Sequence, residues 1–120
     1  MANSIPLVAR ILLSLLFILA GVGKIMDPAG TAQFIESASP LPGMLALPTG
    51  IFELGAGVLL ASGRYLKYVS LALAGFTALA TVLFHNQLGD QMQLTMALKN
   101  LAIIGGLLLV YERSASADPA

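Results

Sequence analysis

Four long apolar runs restrict what this sequence can fold into more than any other feature. They cover residues 5–22, 41–62, 65–84 and 94–111, each roughly 18–22 residues long. At about 1.5 Å of rise per residue, a helix of that length crosses a ~30 Å hydrocarbon layer. Four core helices of a water-soluble bundle would need outer faces of Glu, Lys and Gln, and these runs lack them. Composition points the same way, with 58% hydrophobic residues and only 10% charged. The sequence therefore predicts an all-α membrane protein: an antiparallel bundle of four transmembrane helices, with a short interfacial helix between the first and second.

The scarce charges exclude several function classes. Six Lys and Arg balance six Asp and Glu, so the chain lacks the basic surface by which nucleic-acid binders displace counterions. No cysteine is present, which excludes a disulfide scaffold, a thiol relay, a Cys-ligated cluster and a Cys zinc site within the chain. The length fits one domain, read as 1–112, followed by a small polar tail at 113–120 that is expected to be disordered.

The ends of the runs carry their own signals. Lys24 closes the first, and Asp27-Pro28 reads as an N-cap followed by proline at the first helical position. Residues 29–37 form the expected surface helix, with Phe34 and Ile35 on one side. Ser39-Pro40-Leu41-Pro42-Gly43 ends it and turns the chain into the second span. The Ser62-Gly63-Arg64 turn is so short that the second and third spans are expected to be antiparallel neighbours. A secretory signal peptide is the alternative reading of the first run, since Arg10 precedes an apolar stretch ending in Ala20-Gly21-Val22-Gly23. Four spans put both termini on one side with Arg64, Lys67, Arg113 and nearby Arg10, which favours cytoplasmic termini.

Ionisable residues within the spans are the informative ones, because charge at bilayer depth is expensive and seldom faces lipid. Helical spacing gathers them into stripes of small and polar residues. The first span aligns Arg10, Ser14, Gly21 and Lys24, and the second Ala46, Gly50, Glu53, Gly57 and Ala61. The third aligns Ser70, Ala74, Thr77, Thr81 and His85, and the fourth Thr95, Lys99, Ala102 and Gly106 with Asn100 alongside. Glu53 lies ten residues above Gly63 and Lys99 twelve above Tyr111, so both sit near the midplane, roughly 15–18 Å deep, and can pair there. Arg10 lies closer to the surface and can reach toward Glu53 or snorkel to the headgroups. Two candidate ligand or proton sites result: a centre of Glu53 and Lys99 with Arg10 and Asn100, and an outer rim of Lys24, His85, Asn86 and Asp90.

Plainer readings stand beside these. A buried Glu–Lys pair can serve only to fix helix register, and His85 next to Phe84 at a membrane edge is an ordinary interfacial side chain. One histidine without a second His or Cys does not make a metal or haem site. Gly105-Gly106 and Gly55-Ala56-Gly57 lack the strand–loop–helix setting of a phosphate loop and read as packing glycines. Ser14 and Ser70 have no His and Asp arranged about them for nucleophilic catalysis, and the methionines read as gap fillers.

The run from Arg10 through Gly21-Val22-Gly23-Lys24 resembles the opening of DoxX family membrane proteins. So do Glu53 in the second span, the Phe84-His85-Asn86 turn, and Leu98-Lys99-Asn100-Leu101 followed by Gly105-Gly106. The likeness runs through nearly the whole chain in order and spacing. Relatives often have an aromatic-rich stretch after the Phe-His turn, where this chain has Gln87-Leu88-Gly89. The resemblance implies a multi-pass protein of the bacterial inner membrane. It also implies a link to membrane quinone-linked oxidases in which sulfur compounds or quinols donate electrons and, as in some relatives, to redox homeostasis alongside soluble partners.

Three functions follow as expectations. The first is an accessory or quinone-binding subunit working with a partner oxidoreductase, quinone being the one cofactor implied. Lys99, Asn100 or His85 would then supply hydrogen bonds, and Glu53 or His85 protons. The second is a non-enzymatic scaffold or assembly protein. The third is a small-molecule or proton transporter, ranked last because broken helices and repeats are not evident. The lipid bilayer is the expected partner throughout, and a bundle this small can also form a homo-oligomer.

Overall fold

The computed structural model describes residues 4–117. Its elements are α1 (Ser4–Met26), α2 (Pro28–Ala38), α3 (Ala46–Ser62), α4 (Leu66–Phe84) and α5 (Gln91–Ala117), with a 3-10 turn at Gly43–Leu45 leading into α3. No strand occurs among the described residues. Four stretches are long and apolar enough to cross a membrane: Ser4–Met26, Gly43–Ser62, Leu66–Phe84 and Gln91–Ala115. With α2 as the short helix between the first two, this is the expected all-α membrane fold. The chain forms two compact units that divide between Gly63 and Arg64.

In the first unit α1 packs antiparallel against α3 along a seam of small residues. Ser14, Phe17, Gly21 and Lys24 on α1 repeat at steps of three, four and three. Ala46, Gly50, Glu53, Gly57 and Leu60 on α3 repeat at four, three, four and three. That alternation keeps one helix face turned to its partner. All of these except Lys24 are buried. The helices touch at backbone distance: a Cβ on Gly21 would lie 2.5 Å from the Leu54 nitrogen and 2.7 Å from the Gly50 oxygen. One on Gly57 would lie 2.9 Å from Ile18 Cγ1. Only glycine permits such an approach, which is how membrane helices gain packing without a hydrophobic drive.

The short helix begins where its sequence signal stands. Asp27 Oδ1 accepts a hydrogen bond from the Gly30 amide at 3.0 Å, and Pro28 opens the helix. Phe34 and Ile35 separate rather than sharing a side: Ile35 is buried and Phe34 is exposed. Adjacent residues on a helix stand about 100° apart, so one can face the protein while the other faces away. Glu36 Oε2 accepts from the Gly43 amide at 3.2 Å and ties α2 to the turn before α3.

In the second unit α4 and α5 run antiparallel over a core that includes Val69, Leu73, Ala74, Ala97 and Leu107. The hydroxyls of Ser70, Thr77 and Thr81 donate to the carbonyls of Leu66, Leu73 and Thr77, so each is satisfied inside its own helix. Asp90 caps α5, its Oδ2 accepting from the Gln93 amide at 3.2 Å. The helix then continues through Ala117, past residue 113 where the sequence pattern starts a tail. The rest of that tail, 118–120, lies outside the described residues.

Candidate functional site

The most unusual group in the first unit is the carboxylate of Glu53. It sits in the middle of α3 with 6% of its side chain accessible, and Lys24 Nζ lies 2.7 Å from its Oε1. Depth arithmetic on Cα positions leaves Lys24 at the outer interface and looks for a midplane partner on the fourth span. Within the first unit the structure brings Lys24 of the first span to Glu53. The reason is the direction of helical side chains, which lean toward the N-terminus of their own helix. In an antiparallel pair those leanings oppose. Lys24 leans back along α1 toward Gly21 and Glu53 leans back along α3 toward Gly50, so the two converge from Cα positions about one turn apart in height.

The seam positions the pair. Gly50 lies against the Lys24 Cβ, where an added Cβ would come within 2.9 Å, and Gly21 lies against Gly50 and Leu54 on either side of Glu53. With no side chains on the two glycines, the ammonium can descend between the helices. The contact is nonetheless one of charge more than of direction: Glu53 Oε1 is buried and has no hydrogen-bond partner of acceptable geometry. Lys24 is less enclosed, with 28% of its side chain accessible. The arrangement is thus a buried acceptor beside a cation that has a path to the surroundings.

Arg10 is engaged elsewhere in the same unit. Its Nη1 donates to the Leu60 carbonyl at 3.4 Å, and the guanidinium occupies the space a Cβ on Gly63 would need. Gly63 has φ +84° and its amide donates to the Leu59 carbonyl, closing α3 in the left-handed conformation. A guanidinium at the negative end of the helix dipole is favourable. Arg10 therefore neither reaches Glu53 nor turns wholly to the headgroups; it finishes α3.

The polar residues of the second unit pair among themselves. Asn100 is buried, and its Nδ2 donates to Thr81 Oγ1 at 2.9 Å, joining α5 to α4. His85 Nδ1 lies 3.2 Å from Gln93 Oε1, and Asn86 Nδ2 donates to the Val82 carbonyl at 2.9 Å. Lys99 precedes Asn100 by one residue, about 100° around α5 from the residue that meets α4. Gln93 was not among the residues singled out from sequence. Its signal was there in Asp90-Gln91-Met92-Gln93, the spacing of a capping box. No group of three or more His, Cys, Asp or Glu suited to a metal ion occurs among the described residues.

Comparison with known proteins places this architecture. The chain is 42% identical over 104 residues to the inner membrane protein YqjF of Escherichia coli (strain K12), covering 87% of this chain and 79% of that protein. It is 30% identical over 110 residues to the inner membrane protein YphA of the same organism, with coverage of 87% and 79%. No solved structure matches it at comparable significance. The DoxX family model matches residues 5–86, a stretch that runs from the first turn of α1 to the end of α4 and holds both members of the Lys24–Glu53 pair. With four helices able to cross a membrane and relatives in the inner membrane, the chain is an integral membrane protein that belongs to the DoxX family.

Proposed function

We propose that this protein is an accessory subunit of a membrane redox system and holds a quinone headgroup at the Lys24–Glu53 pair. The observation that carries this reading is the Glu53 Oε1 atom, buried beside an ammonium yet without a directed hydrogen bond. A quinol hydroxyl donates to such an oxygen, and a quinone carbonyl accepts from the partly accessible Lys24. Small-molecule sites are mostly apolar with a few placed polar groups, and the pair offers one donor and one acceptor. The chain has no cysteine and one histidine, so the electron carrier is assigned to a partner oxidoreductase.

Gently purified protein should then carry quinone in stoichiometric amount, and Glu53→Gln or Lys24→Met should deplete it. Protein that co-extracts no quinone and binds none on titration refutes the reading. A second reading, a scaffold without a ligand, is favoured by the regular seam that encloses the pair. It expects a Lys24→Met and Glu53→Gln double variant to capture the same partner proteins and bind no less lipophilic ligand than the parent. Both readings place the termini in the cytoplasm, on the side of Arg64, Lys67 and Arg113. Because the chain has no native cysteine, Ser114→Cys gives a clean test. An impermeant thiol reagent should label it only after the cells are lysed.

A further inference from the structure

Helix α5 has three faces along its length. Ala97, Asn100 and Leu107 are buried and turn to α4. At about 100° per residue, Leu94, Leu98, Leu101 and Leu108 fall roughly 100° to one side of that face, and all four are exposed. Thr95, Lys99, Ala102 and Gly106 fall roughly 140° to the other side, and the first three are exposed. The leucine flank suits lipid. The other flank joins small side chains to an ammonium, and such surfaces seldom face lipid in membrane helices.

Lys99 stands eight residues from Gln91 and twelve from Tyr111, roughly 12 and 18 Å along the axis. A lysine stem leaning toward the helix N-terminus shortens that depth without cancelling it. Among the described residues the acids of its own unit are Asp90 and Glu112, roughly 14 and 20 Å away along the helix, and neither pairs with it. In the first unit Asp27 and Glu36 lie outside the spans and accept from the Gly30 and Gly43 amides, and Glu53 holds Lys24. One carboxylate neutralises one ammonium. Lys24, Glu53 and Lys99 therefore sum to one positive charge, whichever lysine Glu53 faces. A second copy of the chain brings the same excess, so a homo-oligomer does not cancel it.

We infer that the Lys99 face of α5 docks a transmembrane helix of another protein, one that carries an Asp or Glu at the depth of Lys99. The carboxylate supplies the countercharge that this chain lacks. Thr95, Ala102 and Gly106 let the partner's backbone approach closely on either side of it. Together the four residues extend over about three turns. That length suits a helix, whereas a lipophilic acid would need only the one charged turn. This inference rests on embedding in the membrane and is independent of the quinone reading.

The test is association of the full chain with a leucine-rich peptide of about 20 residues carrying one central glutamate, beside the same peptide with glutamine. Each is reconstituted with the chain in phosphatidylcholine vesicles, and energy transfer is read from a dye on Ser114→Cys. The glutamate peptide should bind the parent on the order of tenfold more tightly than the glutamine peptide. Lys99→Met should remove that preference, and Lys99→Glu should transfer it to a peptide with a central lysine. Ala102→Phe, on the docking face, should weaken binding of the glutamate peptide, and Leu101→Phe, on the leucine flank, should leave it unchanged. That second pair decides the matter if the Lys99 variants do not fold. Equal binding of the two peptides by the parent overturns the inference, as does a preference that survives Lys99→Met. Equal loss in the two phenylalanine variants overturns it as well. So does displacement of the glutamate peptide by an equimolar amount of palmitate, which makes the surface a site for a lipid acid.

Discussion

Replacing Gly21 by alanine should damage the first unit, while the same change two residues on, at Gly23, should not. An alanine Cβ at position 21 falls 2.5 Å from the Leu54 nitrogen, 2.7 Å from the Gly50 oxygen and 2.9 Å from the Leu54 Cβ. Ordinary contact begins near 3.4 Å. Two of the three atoms are backbone and cannot swing aside, so α1 and α3 must separate by roughly 0.5–1 Å at that level. Such a gap forfeits about a quarter to a half of the dispersion well of each contact along the seam. Overpacking of this kind costs about 1–3 kcal/mol. Alanine regains at most ~1 kcal/mol of helix propensity, so Gly21→Ala should be net destabilising. At Gly23 a Cβ meets nothing within 4 Å, and the variant should equal or slightly exceed the parent. Dyes on cysteines introduced at Ser4 and Ser62, at the end where α1 starts and α3 finishes, report separation of the two helices during SDS titration from mild detergent. Equal midpoints for the two alanine variants would refute the close-approach account.

Three further outcomes follow. Lys24→Met strands a carboxylate that is 6% accessible, whereas Glu53→Gln strands an ammonium with 28% access. The first should therefore cost more, up to about 3–5 kcal/mol, and the double variant should recover much of the loss; the same SDS titration measures all three. Asn100→Leu removes the bond to Thr81 Oγ1 and should cost about 0.6–2 kcal/mol, read as faster protease cleavage near the His85–Asp90 connection. Asp27→Ala removes the cap on the Gly30 amide and should destabilise α2 by about 1 kcal/mol, seen as faster amide exchange confined to its first turn.

Much of the fold is legible in the sequence because a membrane simplifies the problem. Run length alone marks the four spans, and Asp27-Pro28 marks the start of α2 by a local rule of hydrogen bonding. The partner of Glu53 is not legible in the same way. Counting residues gives the height of a Cα, but Lys and Glu have side chains long enough to bridge a helical turn. The direction they lean depends on which helices pair and with what polarity. That α3 lies against α1, across the intervening α2, is a long-range fact that no local pattern carries. The glycines at 21, 50 and 57 stand out as small residues in the sequence, yet nothing local tells Gly21, pressed on a neighbouring backbone, from Gly23, which touches nothing. Gln93 is the opposite case, a residue with a recognisable capping spacing whose side chain turns instead to His85.

The Lys24–Glu53 pair has a consequence for how the chain is made. Ribosomal synthesis delivers α1 first, and Lys24 lies in the last turn of that helix, where a charge enters the bilayer region cheaply. The carboxylate arrives later, in the middle of α3, where a lone charge costs about 2.5–3.5 kcal/mol on insertion scales. By then the ammonium that neutralises it already stands in the membrane, leaning down toward the level Glu53 will occupy. The earlier span thus acts as a receptor for the later one, and the countercharge of the Glu53 carboxylate is synthesised ahead of it.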